Sequence, residues 1–265
     1  MKNGSLYIAA LSLLLASAVR AESATVSAPK IRAKATPRTP APPSTSSLQP
    51  DSDVIDAPTT AVLDDHGYST RSRIYSQGGM LEHLAFGVYP GVNLGVSAAV
   101  DGLVGDQKEV RMRPPTIQVK YRFFEGDQVF PSLAAGYDGQ GYRYNSVNRR
   151  FNQRQRGFYV VASKEIGVPG LQLHPSFNIS DFDSNAIFGS LPLTFNIRDR
   201  VELLAEWDNV NNWNDSRFNA GLRAYITPAF HADFAVRAIG AGGVYIDGSH
   251  KGSERVVSLK YSGSF

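Results

Sequence analysis

From about Tyr68 to Phe265 the chain alternates apolar and polar side chains in short runs, the period of two that gives a strand unlike faces. The last eleven residues show it most cleanly: Val257, Leu259, Tyr261 and Phe265 share one face, and Ser258, Lys260, Ser262 and Ser264 the other. Runs bounded by turn residues predict about twelve strands, starting near Tyr68, Leu81, Val92, Thr116, Val129, Gly157, Leu171, Ala186, Val201, Arg217, Ala229 and Arg255.

The joints alternate in length. Pro90-Gly91, Glu125-Gly126-Asp127, Val168-Pro169-Gly170, Arg198-Asp199-Arg200 and Thr227-Pro228 are tight, and most joints between them are long; Gln77-Gly78-Gly79 is the exception. Short turns at one end and long loops at the other are the habit of outer-membrane barrels, and an even strand number leaves both termini at the turn end, expected to be periplasmic.

The two faces sort by chemistry. Leu94, Val96, Ala98 and Val100; Ile117, Val119, Tyr121 and Phe123; Leu171, Leu173, Phe177 and Ile179; and Leu191, Leu193, Phe195 and Ile197 form apolar faces. So do Val201, Leu203, Ala205 and Trp207; Phe218, Ala220, Leu222 and Ala224; and Phe230, Ala232, Phe234 and Val236. Tyr159-Val160-Val161-Ala162 has no alternation and leaves its register open. Opposite them fall Arg71, Arg73, Lys120, Arg122, Glu202, Glu206, Asp208, Arg223, Asp233, Arg237 and Lys260. An Arg or Lys facing lipid costs roughly 2 to 4 kcal/mol at mid-membrane, so this sorting predicts a closed all-β, antiparallel transmembrane barrel with charge inside. The inward set lines a pore, or it locks the lumen as ion pairs; Glu202 and Glu206 stand beside Arg223 in favour of the second reading.

The final strand resembles the C-terminal signal of bacterial outer-membrane, porin-like barrels, where a terminal Phe follows alternating apolar residues. The resemblance implies recognition of Tyr261 and Phe265 by the barrel-assembly machinery. The N-terminus agrees with export: Lys2, an apolar run from Leu6 to Val19, then small residues at Val19-Arg20-Ala21. Cleavage is expected after Ala21, with Ala18 the alternative. Residues 22–60 form a Pro-rich linker, broken by Pro29, Pro37, Pro40, Pro42, Pro43 and Pro50, and are expected to be a disordered periplasmic tether before a barrel over 61–265.

Locating the charges changes the meaning of the basic pI. Residues 51–265 hold 21 basic and 23 acidic side chains, so nothing argues for nucleic acid. With no Cys there is no lipid anchor, disulfide or thiolate metal site, and no cofactor is expected.

Among candidate sites, Arg143, Arg149, Arg150, Arg154 and Arg156 lie in one acid-free loop with Tyr142, Tyr144 and Phe151, a surface for anions and lipopolysaccharide phosphates. Lys108, Arg111 and Arg113 could extend it. His174 with Ser176 and His231 with Asp233 share strand faces and would form a hydrolytic set only if they met in space. No nucleophile motif accompanies them, so no enzyme is expected, and the five His show no metal spacing. Asn209, Asn211, Asn212, Trp213, Asn214 and Asp215 read as an external loop.

Asp56-Ala57-Pro58-Thr59-Thr60, and after a first strand Leu94-Gly95-Val96-Ser97, are similar to the Pro-Thr opening and an NLGVS-like strand of YjbH-like outer-membrane proteins linked to exopolysaccharide production. That similarity implies polysaccharide as a partner. The expected function is a narrow passive channel for small polar or charged solutes; a non-conducting scaffold or accessory of exopolysaccharide export is the alternative. Membrane lipid and lipopolysaccharide are the expected surroundings, and the sequence leaves the oligomeric state open.

Overall fold

A computed structural model of the chain describes residues 48–49, 51–76, 78–105, 110–145, 149–153, 156–179, 187–211, 216–240 and 252–265. The first 47 residues, which include the expected signal and most of the linker, lie outside the described residues.

Twelve antiparallel strands close into a barrel: β1 (Gly67–Tyr75), β2 (Gly79–Tyr89), β3 (Val92–Asp101), β4 (Thr116–Phe124), β5 (Ser132–Asp138) and β6 (Gly157–Glu165) make one half. The other half is β7 (Leu171–Leu173 and Ser176–Ile179), β8 (Ile187–Ile197), β9 (Val201–Asp208), β10 (Arg217–Thr227), β11 (Phe230–Ile239) and β12 (Glu254–Ser264). Each strand pairs with its chain neighbours, and β1 pairs with β12 from Gly67↔Ser264 through Arg71↔Lys260 to Ile74↔Val257, so no edge remains. β7 is broken at His174-Pro175, and both pieces bridge β6 and β8. Every expected strand start lies within three residues of the observed one. The largest offset is at β5, where the Asp127 carboxylate accepts the Val129 and Phe130 amides, both at 2.7 Å, and holds those residues in the turn.

Turn chemistry explains the tight end. Gly91 has φ 82°, and a Cβ there would lie 2.9 Å from the Arg122 carbonyl. Arg198 and Asp199 both adopt left-handed angles, 54° and 55°, the central pair that a type I′ turn requires, the Arg200 amide donates to the Ile197 carbonyl at 3.2 Å, and Asn196 Oδ1 accepts the Asp199 amide at 2.9 Å.

The outward faces are those the alternation marks: Ile117 and Phe177 are each 62 % exposed and Phe234 51 %, whereas inward Arg223 is 2 % and Glu206 0 % exposed. β6 settles as Phe158 and Val160 outward, Tyr159 and Val161 inward against Ala134. The chain's last aromatic closes the seam: Phe265 packs 4.9 Å from Tyr68 and 6.5 Å from Phe86 by ring centroids, and its amide donates to the His66 carbonyl at 3.1 Å.

The lumen is not empty. Residues 51–63, mostly assigned to the linker on composition, enter from the turn end, reverse at Val54–Ala57 and return to the same end as a hairpin inside the barrel. Val54 N donates to Ala57 O and Thr59 N to Ser52 O, both at 2.9 Å, and Asp53 bridges Pro58. Composition misassigns residues 51–60 because it weighs only apolar burial against ordering entropy, and this segment is ordered chiefly by charges. Its exit presses on β2 at Gly87, where a Cβ would collide with the Asp64 carbonyl.

Candidate functional site: the plugged lumen

The plug meets the wall through polar atoms at every depth. Nearest the turn end, the Leu63 amide donates to Asn93 Oδ1 at 3.0 Å, the Thr60 amide to Ser163 Oγ at 3.1 Å, and the Thr60 and Ser132 hydroxyls lie 2.5 Å apart. At mid-depth Asp51 faces Arg223 and His231, both at 3.0 Å, and Lys260; Asp53 pairs with Arg71. Arg223 also donates to the carbonyls of Asp53 (3.1 Å) and Val54 (3.0 Å). Towards the loop end Asp56 is held between Arg73 at 2.7 Å and Arg237 at 2.5 Å.

At the tip three successive backbone amides, Ile55, Asp56 and Ala57, converge on one oxygen, Glu206 Oε1, at 2.6, 2.8 and 2.7 Å. Consecutive amides turned to one side form a concave anion nest, here filled by a side chain of the wall. Asn219 donates to the other oxygen of Glu206 at 2.8 Å. At the tip Val54 and Ile55 form a buried apolar cluster with Leu204 and Ala235.

Above the tip, the loop hairpin formed by Tyr142–Asn145 and Arg150–Gln153 brings Tyr142 over the lumen. The Arg237 guanidinium carbon lies 4.0 Å from its ring centre, that of Arg73 lies 5.5 Å away, and the Tyr142 hydroxyl accepts from Arg73. On the β1–β5 side plug and wall leave a cavity of about 90 Å³, bordered by Asp53, Arg71, His83, Gln118, Lys120 and Lys260. Gln118 Oε1 is buried there with no hydrogen-bond partner among the described residues.

All eleven lumen charges expected from the sequence point inward. Nine of them border the plug or pair beside it: Arg71, Arg73, Lys120, Arg223, Arg237 and Lys260 touch it directly, as does Glu206, while Glu202 and Asp233 pair with Arg223 at 3.0 and 2.9 Å. Asp208 pairs with Arg156 at 3.1 Å, and Arg122 stands apart, 3.6 Å from Glu125. Arg156 is a correction: the sequence places it in the outer loop, but its Nε donates to the Asp56 carbonyl at 2.7 Å inside the barrel. Gly157, with φ 67°, interrupts the alternation beside it and turns the side chain inward. Arg149 is exposed; the side chains of Arg143 and Arg150, and all of Arg154, Lys108 and Trp213, lie outside the described residues. Arg113 pairs with Asp101, and Arg111 is exposed.

The histidines are spread over separate networks. His174 contacts Ser163 at 2.7 Å and Thr194 at 3.3 Å, Ser176 bonds Ser190 at 2.5 Å, and His231 faces Asp51 and Asp233. Among the described residues no hydrogen bond links the first two to the second pair. Two clusters, Asp51–His231–Asp233 and Asp56–Glu206–Asp208, have the spacing of metal ligands. Their oxygens are already taken by arginine and amide donors, a donor set that does not suit a cation.

No protein-family model matches the sequence, and no curated protein matches it. Solved structures similar to the fold include the KdgM porin, with 8 % identity and a TM-score of 0.48 over 75 % of this chain and 99 % of that one. The NanC porin gives 11 % identity and a TM-score of 0.41 over 75 % and 99 % of the two chains. A mutant porin of Rh. blastica gives 12 % and 0.34 over 70 % and 55 %.

Proposed function

We propose that this protein is an outer-membrane channel for small polar or charged solutes, narrow by construction, with residues 51–63 as the element that closes it. The observation that carries the reading is the polar character of the plug's seat. Buried ion pairs contribute little to stability, because desolvation cancels most of their attraction, so a lumen meant only as a packed core gains nothing from them over apolar filling. A wall of charges meeting a segment of opposite charge suits an interior that is at times hydrated, where water or solute replaces the plug's contacts one for one. In this reading both termini face the periplasm, the exposed Arg149 belongs to a lipopolysaccharide-facing loop, and Tyr261 and Phe265 serve barrel assembly.

The ion pairing also favours a second reading, a non-conducting scaffold or accessory of exopolysaccharide export whose plug never leaves. Single-channel recording in planar bilayers across a salt gradient separates the two. The channel reading expects discrete steps that become more frequent in Glu206→Lys, which ejects the tip, and whose ion selectivity changes in Arg223→Glu. A correctly folded barrel that stays silent in both variants leaves the scaffold.

A further inference from the structure

The cations of the lumen fall into two groups. Arg223 retains Glu202 and Asp233 on the wall, Arg237 retains Glu254 at 2.9 Å, and Arg156 retains Asp208. The other group forms no salt bridge with a wall carboxylate among the described residues, Asp138 on β5 being the wall acid that borders the same cavity. Arg71 pairs with Asp53, Arg73 with Asp56, and Lys260 with Asp51, all three acids belonging to the plug. Lys120 donates to the plug carbonyls of Ser52 at 2.6 Å and Ala61 at 3.4 Å.

These four cations stand together. Arg71 and Lys260 are partners across the β1–β12 seam, Arg73 follows two residues along β1, and Lys120 faces them from β4 across the cavity that Arg71, Lys120 and Lys260 border. The wall supplies the cations, and among the described residues the plug supplies the carboxylates that pair with Arg71, Arg73 and Lys260. Like charges gathered in a narrow, low-dielectric passage focus the field and raise the local concentration of anions, and guanidinium groups fork onto carboxylate or phosphate oxygens.

We propose that Arg71, Arg73, Lys120 and Lys260 form a binding site for a multivalent oxyanion, one bearing several carboxylates or phosphates, and that Asp51, Asp53 and Asp56 occupy it as a built-in competitor. The proposal rests on the plug being separable, as in the channel reading. Ligand and plug then exclude each other, so the anion both binds the passage and favours its open form.

The test is isothermal titration of citrate and of tripolyphosphate into the full mature chain in detergent at fixed ionic strength, using preparations that show the heat-modifiable gel shift of a folded barrel. Asp51→Asn with Asp53→Asn is expected to tighten binding at least tenfold over wild type. Adding Arg71→Gln and Lys120→Gln is expected to weaken it again by a similar factor. A Thr60→Cys/Ser132→Cys pair, in a chain that has no other cysteine, fixes the plug when oxidised; binding should vanish in that form and return on reduction. Affinity that ignores the Asp substitutions, ignores the Arg and Lys substitutions, or survives the oxidised lock overturns the proposal. Binding is read without current: a barrel that binds but never conducts overturns the channel reading alone, and one that conducts without binding overturns this proposal alone.

Discussion

Glu206→Ala is the sharpest perturbation of the plug. One oxygen of Glu206 accepts three amides at 2.6 to 2.8 Å, and the residue is 0 % exposed. Hydrogen bonds to a charged group contribute about 1.5–3 kcal/mol each, and breaking a buried charged network by removing one partner costs about 3–5 kcal/mol. The lower figures apply if water reaches the freed amides. At roughly 1.4 kcal/mol per tenfold, the plugged population should fall by two to almost four orders of magnitude relative to the unplugged one. Glu206→Gln keeps an acceptor and loses the charge, so a smaller effect of about tenfold is expected. Hydrogen exchange read by mass spectrometry on peptides covering 51–63 measures this directly. The strand peptides serve as an internal standard, since the ladder of β9 with β8 and β10 uses only the backbone of Glu206. Equal exchange of 51–63 in wild type and Glu206→Ala would refute the nest as the plug's latch.

Other outcomes follow from the same contacts. Arg156→Ala removes the donor to the Asp56 carbonyl and should speed exchange of the plug, whereas an outer-loop arginine would leave it unchanged. Phe234→Arg puts a charge against lipid and should lower the urea midpoint of refolding into vesicles by the equivalent of roughly 2–4 kcal/mol near mid-membrane, while Phe234→Leu should be nearly neutral. Phe265→Ala removes the ring between Tyr68 and Phe86 and the proposed assembly signal; less heat-modifiable barrel in isolated membranes is expected, with no change in plug exchange once folded.

Most of the barrel was legible because lipid imposes one rule on every strand. A period-two pattern must place Ile117, Phe177 or Phe234 outside and Lys120, Arg223 or Asp233 inside, and slipping by one residue inverts the whole face. The inward charges were therefore readable, but what they touch was not. The plug has no period to reveal it. Its signal was electrostatic: Asp51, Asp53 and Asp56 stand just before a first strand carrying Arg71 and Arg73, with the adjacent branched pair Val54-Ile55 between Asp53 and Asp56. Arg156 was lost for a different reason. A single left-handed Gly157 turns an expected loop residue inward, and alternation has no means of registering one flipped residue.

The composition of the plug's seat argues that it is a separable unit of the fold. Ordering a residue's backbone costs about 1–2 kcal/mol, and fully burying a Val or Ile side chain offsets about 1.5–3 kcal/mol. Val54 and Ile55 are the plug's members of the lumen's apolar cluster, so hydrophobic burial alone does not hold 51–63 in place. The strands owe the plug nothing in return: their registers are complete without it, and its one bridge, Asp53 to Pro58, is internal. An element held by polar contacts inside a wall that stands alone belongs to the low-stability end of local opening. Amides 54–57 should therefore exchange before those of the barrel strands in the wild-type protein, and the oxidised Thr60→Cys/Ser132→Cys lock should delay them without altering the strands. Exchange of plug and strands in one cooperative step would mean that the plug is core, and that the charged lumen serves the barrel's architecture rather than its opening.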